Sequence, residues 1–382
     1  MAIALSAAAC GGGSASVPTD ETQASGGETT VVEREAEPEA TAPPEPEVEA
    51  TPPGLPPPVL PALTAGDAHT RVIGQIDGAC SVDGVEGGFV YVGSSGRTSS
   101  LTRFALAGGA GEVVHHAEGV LDYRVTAGLA VYAELTEGFG ITNFGAIRLS
   151  NGRVSEVGHG LRQSTWALAP GGIYYADPSY TEPRILRLSL SGGEPTQIEE
   201  IAPVFDEDRI EQLVASQAEL FYVAVRTRDS SRGGYFCHEL RGGPPGASQT
   251  LRRYRRCPSD DEILDAMTVT SGFVYYHRDE GLYRMPRAAG GREETVMSDV
   301  HGVPTATVSD DRVLVWAQQD GVLRLALGVP AVPEVIGERA QTLSAPYLAD
   351  GVLYWTRRDP GQTCVVLSRP IDAPALTRWD PS

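Results

Sequence analysis

Three acidic side chains are the residues of this chain best suited to chemistry. Asp122, Glu211 and Asp265 each stand near the start of a short β-type segment. Three carboxylates that converge can hold a divalent cation. Acids at such places more often cap a strand or bond to turn amides. The sequence therefore allows a metal without indicating one, and we expect no cofactor.

Other catalytic patterns are missing from the sequence. No Gly-x-Ser-x-Gly motif, which marks the nucleophile of many hydrolases, occurs. The histidines fall in scattered segments, and no pair has the spacing of a metal site. An enzyme is therefore less expected than a binding protein.

Five cysteines bear on the cellular compartment. Cys80, Cys237, Cys257 and Cys364 are widely spaced, even in number and without a Cys-x-x-Cys pair. Such cysteines favour disulfides in an oxidising compartment over zinc. Cys237 and Cys257 flank a Gly- and Pro-rich turn symmetrically, which predicts a bridge across one hairpin.

An arginine-rich stretch at residues 252–256 (Arg-Arg-Tyr-Arg-Arg) could suggest nucleic-acid binding. On a strand, however, these side chains would alternate between two faces, and no further basic residues extend the patch. Arginines on an outermost strand also prevent edge-to-edge pairing. We expect no nucleic-acid partner.

The elements that would position these residues recur along the chain. A short aromatic and β-branched strand appears seven times, at intervals of about forty to fifty residues, the span of one four-stranded propeller blade. These second strands are Phe89–Val92, Leu129–Tyr132, Ile173–Tyr175, Leu220–Val223, Phe273–Tyr276, Val313–Trp316 and Val352–Trp355. The pattern predicts an all-β, seven-bladed β-propeller.

A third strand with an arginine follows in five repeats, and the fourth and seventh repeats lack it. The arginines assigned to equivalent places are Arg103, Arg148, Arg187, Arg284 and Arg324. Paired glycines after several of these strands provide the positive φ angles of a tight hairpin.

The repeats are predicted to close into a ring, because each sheet can bury its apolar faces only against its neighbours. The first strand of every blade would then surround a central channel, the usual ligand site of such a fold. The candidate channel-lining residues are Asp122, Arg124, Trp166, Glu211, Asp265 and Tyr347. A bridge from Cys80 in the first blade to Cys364 in the last would fasten the ring.

The N-terminus predicts an exported, anchored protein. Residues 1–10 end in Ala7-Ala8-Ala9-Cys10 and resemble the end of a bacterial lipoprotein signal, in which the cysteine is acylated. Leu is usual where Ala7 stands, and a basic start is missing. The alternative is a small-residue tail with an incidental cysteine. Lipidation at Cys10 would place the protein at the bacterial cell envelope, facing the periplasm or the surface.

Residues 11–66 form a linker rich in Pro, Glu and Gly. Residues 20–50 carry a net charge of −9 out of −20 for the whole chain. The linker has too little apolar surface to offset the conformational entropy that ordering would cost, and we therefore expect a disordered tether. The propeller domain is assigned to residues 67–382.

The repeats resemble bacterial TolB-like and YWTD-like propellers. The resemblance rests on Leu353-Tyr354-Trp355-Thr356, on Ile173-Tyr174-Tyr175 and on the Arg-containing third strand. Arg357 stands where YWTD propellers carry an aspartate. The resemblance implies a fold and leaves function open. We expect a non-catalytic propeller that presents loop surfaces, residues 226–256 above all, to an envelope protein or glycan. The alternative is a hydrolase or lyase with a metal in the channel.

Overall fold

The computed structural model describes most of the chain between Asp67 and Trp379. The described residues are 67–95, 98–135, 141–162, 165–177, 183–201, 209–216, 218–228, 235–254, 265–278, 281–298, 300, 307–318, 321–329, 331–338, 345–358 and 363–379. Every regular element among them is a β-strand. This part of the chain contains no helix long and apolar enough to cross a membrane. Residues 1–66, with Cys10 and the predicted linker, lie outside it.

The described strands form seven antiparallel sheets, which confirms the predicted seven-bladed propeller. The first strand is β1 (Arg71–Asp77). Blades 1 to 3 then follow in order along the chain. Blade 1 consists of β2 (Ala79–Glu86), β3 (Phe89–Ser95), β4 (Thr98–Ala105) and β5 (Glu112–Glu118). Blade 2 consists of β6 (Val120–Thr126), β7 (Leu129–Leu135), β8 (Ile141–Arg148) and β9 (Arg153–Arg162). Blade 3 consists of β10 (Trp166–Ala169), β11 (Gly172–Asp177), β12 (Arg184–Leu188) and β13 (Thr196–Glu200).

Blades 4 to 7 continue the same order of strands. They consist of β14 (Arg209–Ser216), β15 (Glu219–Arg228), β16 (Tyr235–Gly243) and β17 (Gln249–Arg253); β18 (Asp265–Val269), β19 (Phe273–Arg278), β20 (Gly281–Pro286) and β21 (Glu294–Met297); β22 (Thr307–Ser309), β23 (Val313–Gln318), β24 (Gly321–Ala326) and β25 (Glu334–Gly337); and β26 (Tyr347–Ala349), β27 (Val352–Arg358) and β28 (Thr363–Pro370). A final strand, β29 (Thr377–Arg378), adds to the outer edge of blade 6.

The second strand of each blade is buried because it packs on both neighbouring blades. All six residues of β23 are buried, and Trp316 lies there with no exposed surface. Its alternate side chains belong to two different hydrophobic clusters, Val315 to one and Trp316 to the other. Apolar residues at consecutive positions are therefore required, which is why these strands read as continuous hydrophobic runs.

The ring is closed by the chain itself as well as by a disulfide. Strand β1 is the outermost strand of blade 7, where it pairs with β28. Two residues later the chain begins β2, the inner strand of blade 1. Cys80 on β2 is bonded to Cys364 on β28 across the same seam. The sequence predicted the disulfide but not the strand crossing.

The register corrects two of the arginine assignments. Arg103, Arg187, Arg284 and Arg324 each lie opposite the third residue of the second strand. Arg148 does not, because it pairs with Leu129 at the start of β7. The fourth blade does carry an equivalent arginine, Arg241, opposite Tyr222. Turn lengths after the third strand differ between blades, so a local motif cannot give the register.

The two ends of the propeller are defined by strand direction. Each blade is an antiparallel meander that begins at its inner strand, so all inner strands run the same way. We call the end where they begin the start face. The opposite end, which holds the hairpins that follow the inner and third strands, is the turn face.

The first described residue, Asp67, meets the segment after β28 at the turn face of blade 7. Arg369, of which 1 % is exposed, donates hydrogen bonds to Asp67, to Thr70 Oγ1 (3.0 Å) and to the Pro374 carbonyl. Burial opposes ionisation of Asp67, but the hydrogen bonds from Thr70 and Arg369 outweigh it and lower its pKa. One buried guanidinium thus holds both ends of the domain.

Candidate functional site

All six candidate channel residues lie on inner strands. Asp122 and Arg124 are on β6, and Trp166 begins β10. Glu211 is the third residue of β14, Asp265 begins β18 and Tyr347 begins β26. The three acids therefore stand near the start face. The side chain of Asp265 lies outside the described part of the structure.

Asp122, Arg124 and Trp166 form one group between blades 2 and 3. Arg124 Nε donates to Asp122 Oδ2 at 3.2 Å, and its guanidinium lies 4.3 Å from the centre of the Trp166 ring. The two charged side chains are about 40 % exposed, whereas Trp166 is buried against Phe144. Stacking on the indole fixes the guanidinium and presents an ordered ion pair at the start face.

Asp83 is a buried acid beside this group that the sequence analysis did not single out. It is the extra residue of a β-bulge in β2, between Val82 and Gly84. Its Oδ1 accepts a hydrogen bond from Ser81 Oγ at 2.7 Å. Burial raises the pKa of Asp83 well above its usual value, and the charge on Asp122 raises it further. Its carboxyl fills the space beside Gly93, where a Cβ would collide with it.

Only the three-dimensional structure reveals the environment of Asp83. The Asp-Gly pair in β2 is the one local signal, because this dipeptide is common at bulges and turns. Burial of the carboxyl depends on Tyr123 in the next blade and on the missing side chain at Gly93.

Glu211 is also paired on its own strand. Arg209 Nη2 lies 2.6 Å from Glu211 Oε1, and His238 Nε2 lies 3.7 Å from Glu211 Oε2. Like Asp83, Glu211 is the extra residue of a bulge in its inner strand. The bulge re-aims the side chain within the start face. Glu211 is thus bound by a guanidinium.

The described acids do not converge on one point. No group of three or more His, Cys, Asp or Glu side chains within the described ranges could hold a metal ion. Tyr347 lies in the seam between blades 7 and 1, where burial raises the pKa of its phenol. In the described part of the chain, the start-face acids Asp122 and Glu211 are each paired with an arginine.

A polar network fills the seam between blades 3 and 4. Tyr222 Oη donates to Glu199 Oε1 at 2.6 Å, and Arg241 lies 3.3 Å from both Glu199 and Glu239. Ser248 Oγ donates to Glu199 as well. Burial raises the pKa of Tyr222, and the bond to Glu199 raises it further. The network joins β13 to blade 4, which is a structural role.

A second network joins blades 4 and 5. The Tyr254 and Tyr276 hydroxyls lie 2.9 Å apart, and each can donate its one proton to Glu293 Oε2, at 2.6 and 2.5 Å. The Arg278 guanidinium lies 3.4 Å from Glu293 and stacks on the Tyr283 ring at 4.4 Å. Burial raises the pKa values of Tyr254 and Tyr276. These contacts join Tyr254 of blade 4 to Glu293 of blade 5.

One buried histidine stands apart from these networks. His277 is 3 % exposed, and its ring lies 6.2 Å from that of Trp316 in blade 6. Its Nε2 has no hydrogen-bond partner among the described residues. Burial lowers the pKa of His277 to about 3. The side chain is therefore a neutral packing residue at physiological pH.

The second predicted disulfide lies partly outside the described residues. Cys237 is on β16, opposite Arg226, whereas Cys257 falls in an undescribed range. The Cys237–Cys257 bridge stays a prediction, as does acylation of Cys10. In the predicted partner-binding region, residues 226–256, the structure likewise does not describe the side chains of residues 226–237 and 255–256.

No protein-family model and no curated protein matches this sequence. Solved structures match at the level of fold. A prolyl endopeptidase is 12 % identical with a TM-score of 0.58; the match covers 81 % of this chain but only 50 % of that one. An oligogalacturonate lyase in complex with manganese is 10 % identical, with a TM-score of 0.55 and coverages of 75 % and 86 %.

A third similar structure is the β-propeller domain of the Trilobed protease from Pyrococcus furiosus. It is 9 % identical with a TM-score of 0.54, and the match covers 81 % of this chain and 99 % of that one. That domain is described as having an open velcro topology, whereas β1 closes the ring here. At these identities the similarity extends to the fold alone.

Proposed function

We propose that this chain is an envelope-anchored, non-catalytic β-propeller that binds a protein or glycan partner through its start face. The observation that carries the proposal is the pairing of the start-face acids with arginines, Asp122 with Arg124 and Glu211 with Arg209. A hydrolytic or lyase site needs carboxylates free to bind a metal or move a proton. Ordered, half-exposed ion pairs are better suited to recognising polar groups on a partner.

Binding can be tested with a double substitution at the start face. Asp122→Ala/Arg124→Ala removes one ion pair and the stacked cation while leaving net charge unchanged. Chemical cross-linking in intact envelopes should then yield about tenfold less of the cross-linked species seen with the wild type. The matched control is Arg103→Ala/Glu112→Ala, which removes a comparable pair near the turn face. Equal yields from wild type and the start-face variant would contradict the proposal.

Anchoring is tested separately by mass spectrometry of the mature N-terminus. The sequence motif that ends in Cys10 supports cleavage before this residue and attachment of acyl chains to it. A peptide that begins with diacylated or triacylated Cys10 is expected. An unprocessed Met1 peptide from envelope-derived protein would refute the anchoring part alone.

A metal-dependent reaction is the competing hypothesis, and it predicts a different outcome. A channel metal bound by Asp122 should raise the melting temperature on addition of Mn²⁺, and Asp122→Asn should abolish the rise. Our proposal expects no Mn²⁺-dependent shift in either protein, because Asp122 is already bound by Arg124.

A further inference from the structure

Two side chains at the start face point into the seam between blades 2 and 3. Ala133 of β7 packs against blade 3, whereas Tyr132 packs against blade 1. Because side chains alternate along a strand, Leu135 continues the row that faces blade 3. Arg124 faces the same way, since its guanidinium stacks on Trp166 of blade 3. We call the surface formed by Arg124, Trp166 and Leu135 the Arg124 surface.

Arg124 is bound to its acid through one nitrogen only. Its Nε donates to Asp122 Oδ2 at 3.2 Å, and its terminal nitrogens, Nη1 and Nη2, have no acceptor among the described residues. By contrast, Arg103 and Arg184 each bind their carboxylate through both Nε and Nη2. The end of the Arg124 guanidinium that carries both terminal nitrogens is therefore open to a ligand.

The orientation of this guanidinium is fixed by the ring beneath it. Trp166 is 5 % exposed and packs against Phe144, with 5.4 Å between the ring centres, so the indole is a rigid base for Arg124. A guanidinium held flat presents two parallel N–H groups in one direction, which is the arrangement that both oxygens of a carboxylate accept. A side chain that is already ordered also loses little entropy on binding.

Leu135 indicates that the carboxylate belongs to a protein segment. This side chain is 46 % exposed, and its N–H bonds to the Gly119 carbonyl, three residues before Asp122. A peptide can place an aliphatic side chain on Leu135 and a neighbouring carboxylate on Arg124. A sugar ring packs best through its C–H face on an open aromatic ring, but Arg124 already covers the Trp166 indole. The Arg124 surface thus suits an acidic peptide better than an acidic glycan.

We propose that the start-face partner is a protein, and that an Asp or Glu side chain of this partner binds end-on to Nη1 and Nη2 of Arg124. An aliphatic residue of the same acidic segment packs on Leu135. Asp122 stays on the Nε side of the guanidinium and acts as a positioning residue. This inference rests on the proposed function for the existence of a partner; it adds the residue that recognises the partner and the chemistry of recognition.

A peptide tests this chemistry on the full-length chain. The probe is acetyl-Glu-Leu-Glu-amide, and the readout is the NMR signal of the Trp166 indole N–H, which Trp166→Phe identifies among the four tryptophans. The signal should shift saturably, and acetyl-Gln-Leu-Gln-amide should bind about tenfold more weakly, because it forms no charge-assisted pair. The chain's net charge of −20 gives an acidic peptide no general attraction. Equal binding of the two peptides, or binding of neither, would overturn the proposal.

A conservative substitution tests the role of the guanidinium. Arg124→Lys keeps the charge but removes the pair of parallel N–H groups, so the peptide should bind about tenfold more weakly. The matched control is Arg103→Lys, because Arg103 also stacks on an aromatic ring, that of Phe89, while Glu112 occupies its Nε and Nη2. This control should bind the peptide as the wild type does. Wild-type affinity in Arg124→Lys would refute recognition by the guanidinium.

The protein character of the partner is tested separately. Leu135→Ser should weaken peptide binding about threefold, because less aliphatic surface is buried. Val113→Ser, at an exposed position on β5 near the turn face, should not weaken it. A mannuronate tetrasaccharide supplies carboxylates without aliphatic side chains and should bind more weakly than the peptide. Tighter binding of the tetrasaccharide, or an unchanged affinity of Leu135→Ser, would exclude an acidic protein segment.

Single substitutions in the envelope cross-linking experiment separate this inference from the proposed function. Arg124→Ala alone should lower the yield about tenfold, as the double substitution does, because the bidentate contact is lost. Asp122→Ala alone should lower it only about twofold, because stacking on Trp166 still orients the guanidinium. If the double variant loses the cross-linked species but Arg124→Ala keeps it, the partner exists and its recognition by Arg124 is wrong. If the double variant cross-links like the wild type, both the proposed function and this inference fail.

Discussion

Several buried and half-buried carboxylates of this propeller are bound by arginines. Glu239, of which 1 % is exposed, lies 3.3 Å from Arg241 and 3.4 Å from Arg253. At the start face, Asp122 and Glu211 are bound by Arg124 and Arg209. A buried or half-buried carboxylate without such partners would be costly. The pairing with arginines offsets part of this cost.

His277 gives a residue-scale prediction about pH. Its pKa is about 3 in the folded protein, against about 6.5 in an unfolded chain. Below pH 6.5 the unfolded chain takes up a proton that the folded protein does not, so acid favours unfolding. This contribution is complete above pH 6.5 and is lost as the pH falls towards 3. Between pH 7 and 4.5 His277 should remove about 2–3 kcal/mol of stability.

Urea unfolding of the wild type and His277→Gln at several pH values measures this contribution. The variant should lose less stability than the wild type between pH 7 and 4.5, because the carboxylates titrate alike in both. His69→Gln, at an exposed position, should follow the wild type. Parallel curves for wild type and His277→Gln would show that the ring is protonated in the folded state.

At the scale of elements, the first described strand completes blade 7, and the last one extends blade 6. Strand β1 supplies the outer strand of blade 7, and β29 adds a fifth strand to blade 6. Arg324 bonds to the carbonyls of Ile371 and Ala373, so it holds the connection between these two blades. Arginines of third strands, Arg369 and Arg324, therefore hold the first and last described segments to the ring.

Arg369 gives the prediction at this scale. Arg369→Ala leaves Asp67 and the Pro374 carbonyl without their shared partner. Removing one member of a buried, hydrogen-bonded charge pair typically costs 3–5 kcal/mol, so we expect a loss of about 3 kcal/mol in urea unfolding. Arg312→Ala removes an exposed ion pair with Asp310 and should have no measurable effect. A loss in Arg369→Ala as small as that in Arg312→Ala would mean that the contacts of Arg369 with Asp67 and Pro374 contribute little to stability.

For the whole molecule, the Cys80–Cys364 disulfide closes a loop of 284 residues. In the chain-entropy account, such a cross-link stabilises the fold by about 5 kcal/mol, because it restricts the unfolded chain. Cys80→Ser/Cys364→Ser should lower the free energy of unfolding by about that amount. The ring should still form, since β1 remains paired with β28. Loss of the native circular dichroism spectrum would show that the strand alone cannot close the propeller.

The same variant also tests the second predicted bridge. If Cys237 and Cys257 are bonded, treating Cys80→Ser/Cys364→Ser with a reductant should lower its stability by a further ~3 kcal/mol. An unchanged stability, with both Cys237 and Cys257 alkylated before reduction, would contradict the prediction.

The amino-acid sequence determined the number of blades and the second strand of each one. Those strands pack on both sides, so they must be apolar at consecutive positions, and a local pattern suffices to find them. The inner-strand positions of Asp122, Glu211 and Asp265 and the pairing of Cys80 with Cys364 also followed from the repeat. The disordered linker and the acylation of Cys10 that we propose are inferences from sequence alone, whereas the proposed partner binding rests on the start-face ion pairs.

Tertiary structure decided the features that depend on register and on contacts between distant residues. The place of Arg241, the burial of Asp83 and the crossing of β1 to blade 7 have no local signal. Register follows from turn length and packing, and burial of one side chain depends on what the next blade presents. Only the closed ring brings Asp67 to Arg369 and Pro374, because Asp67 lies about 300 residues before them in the chain.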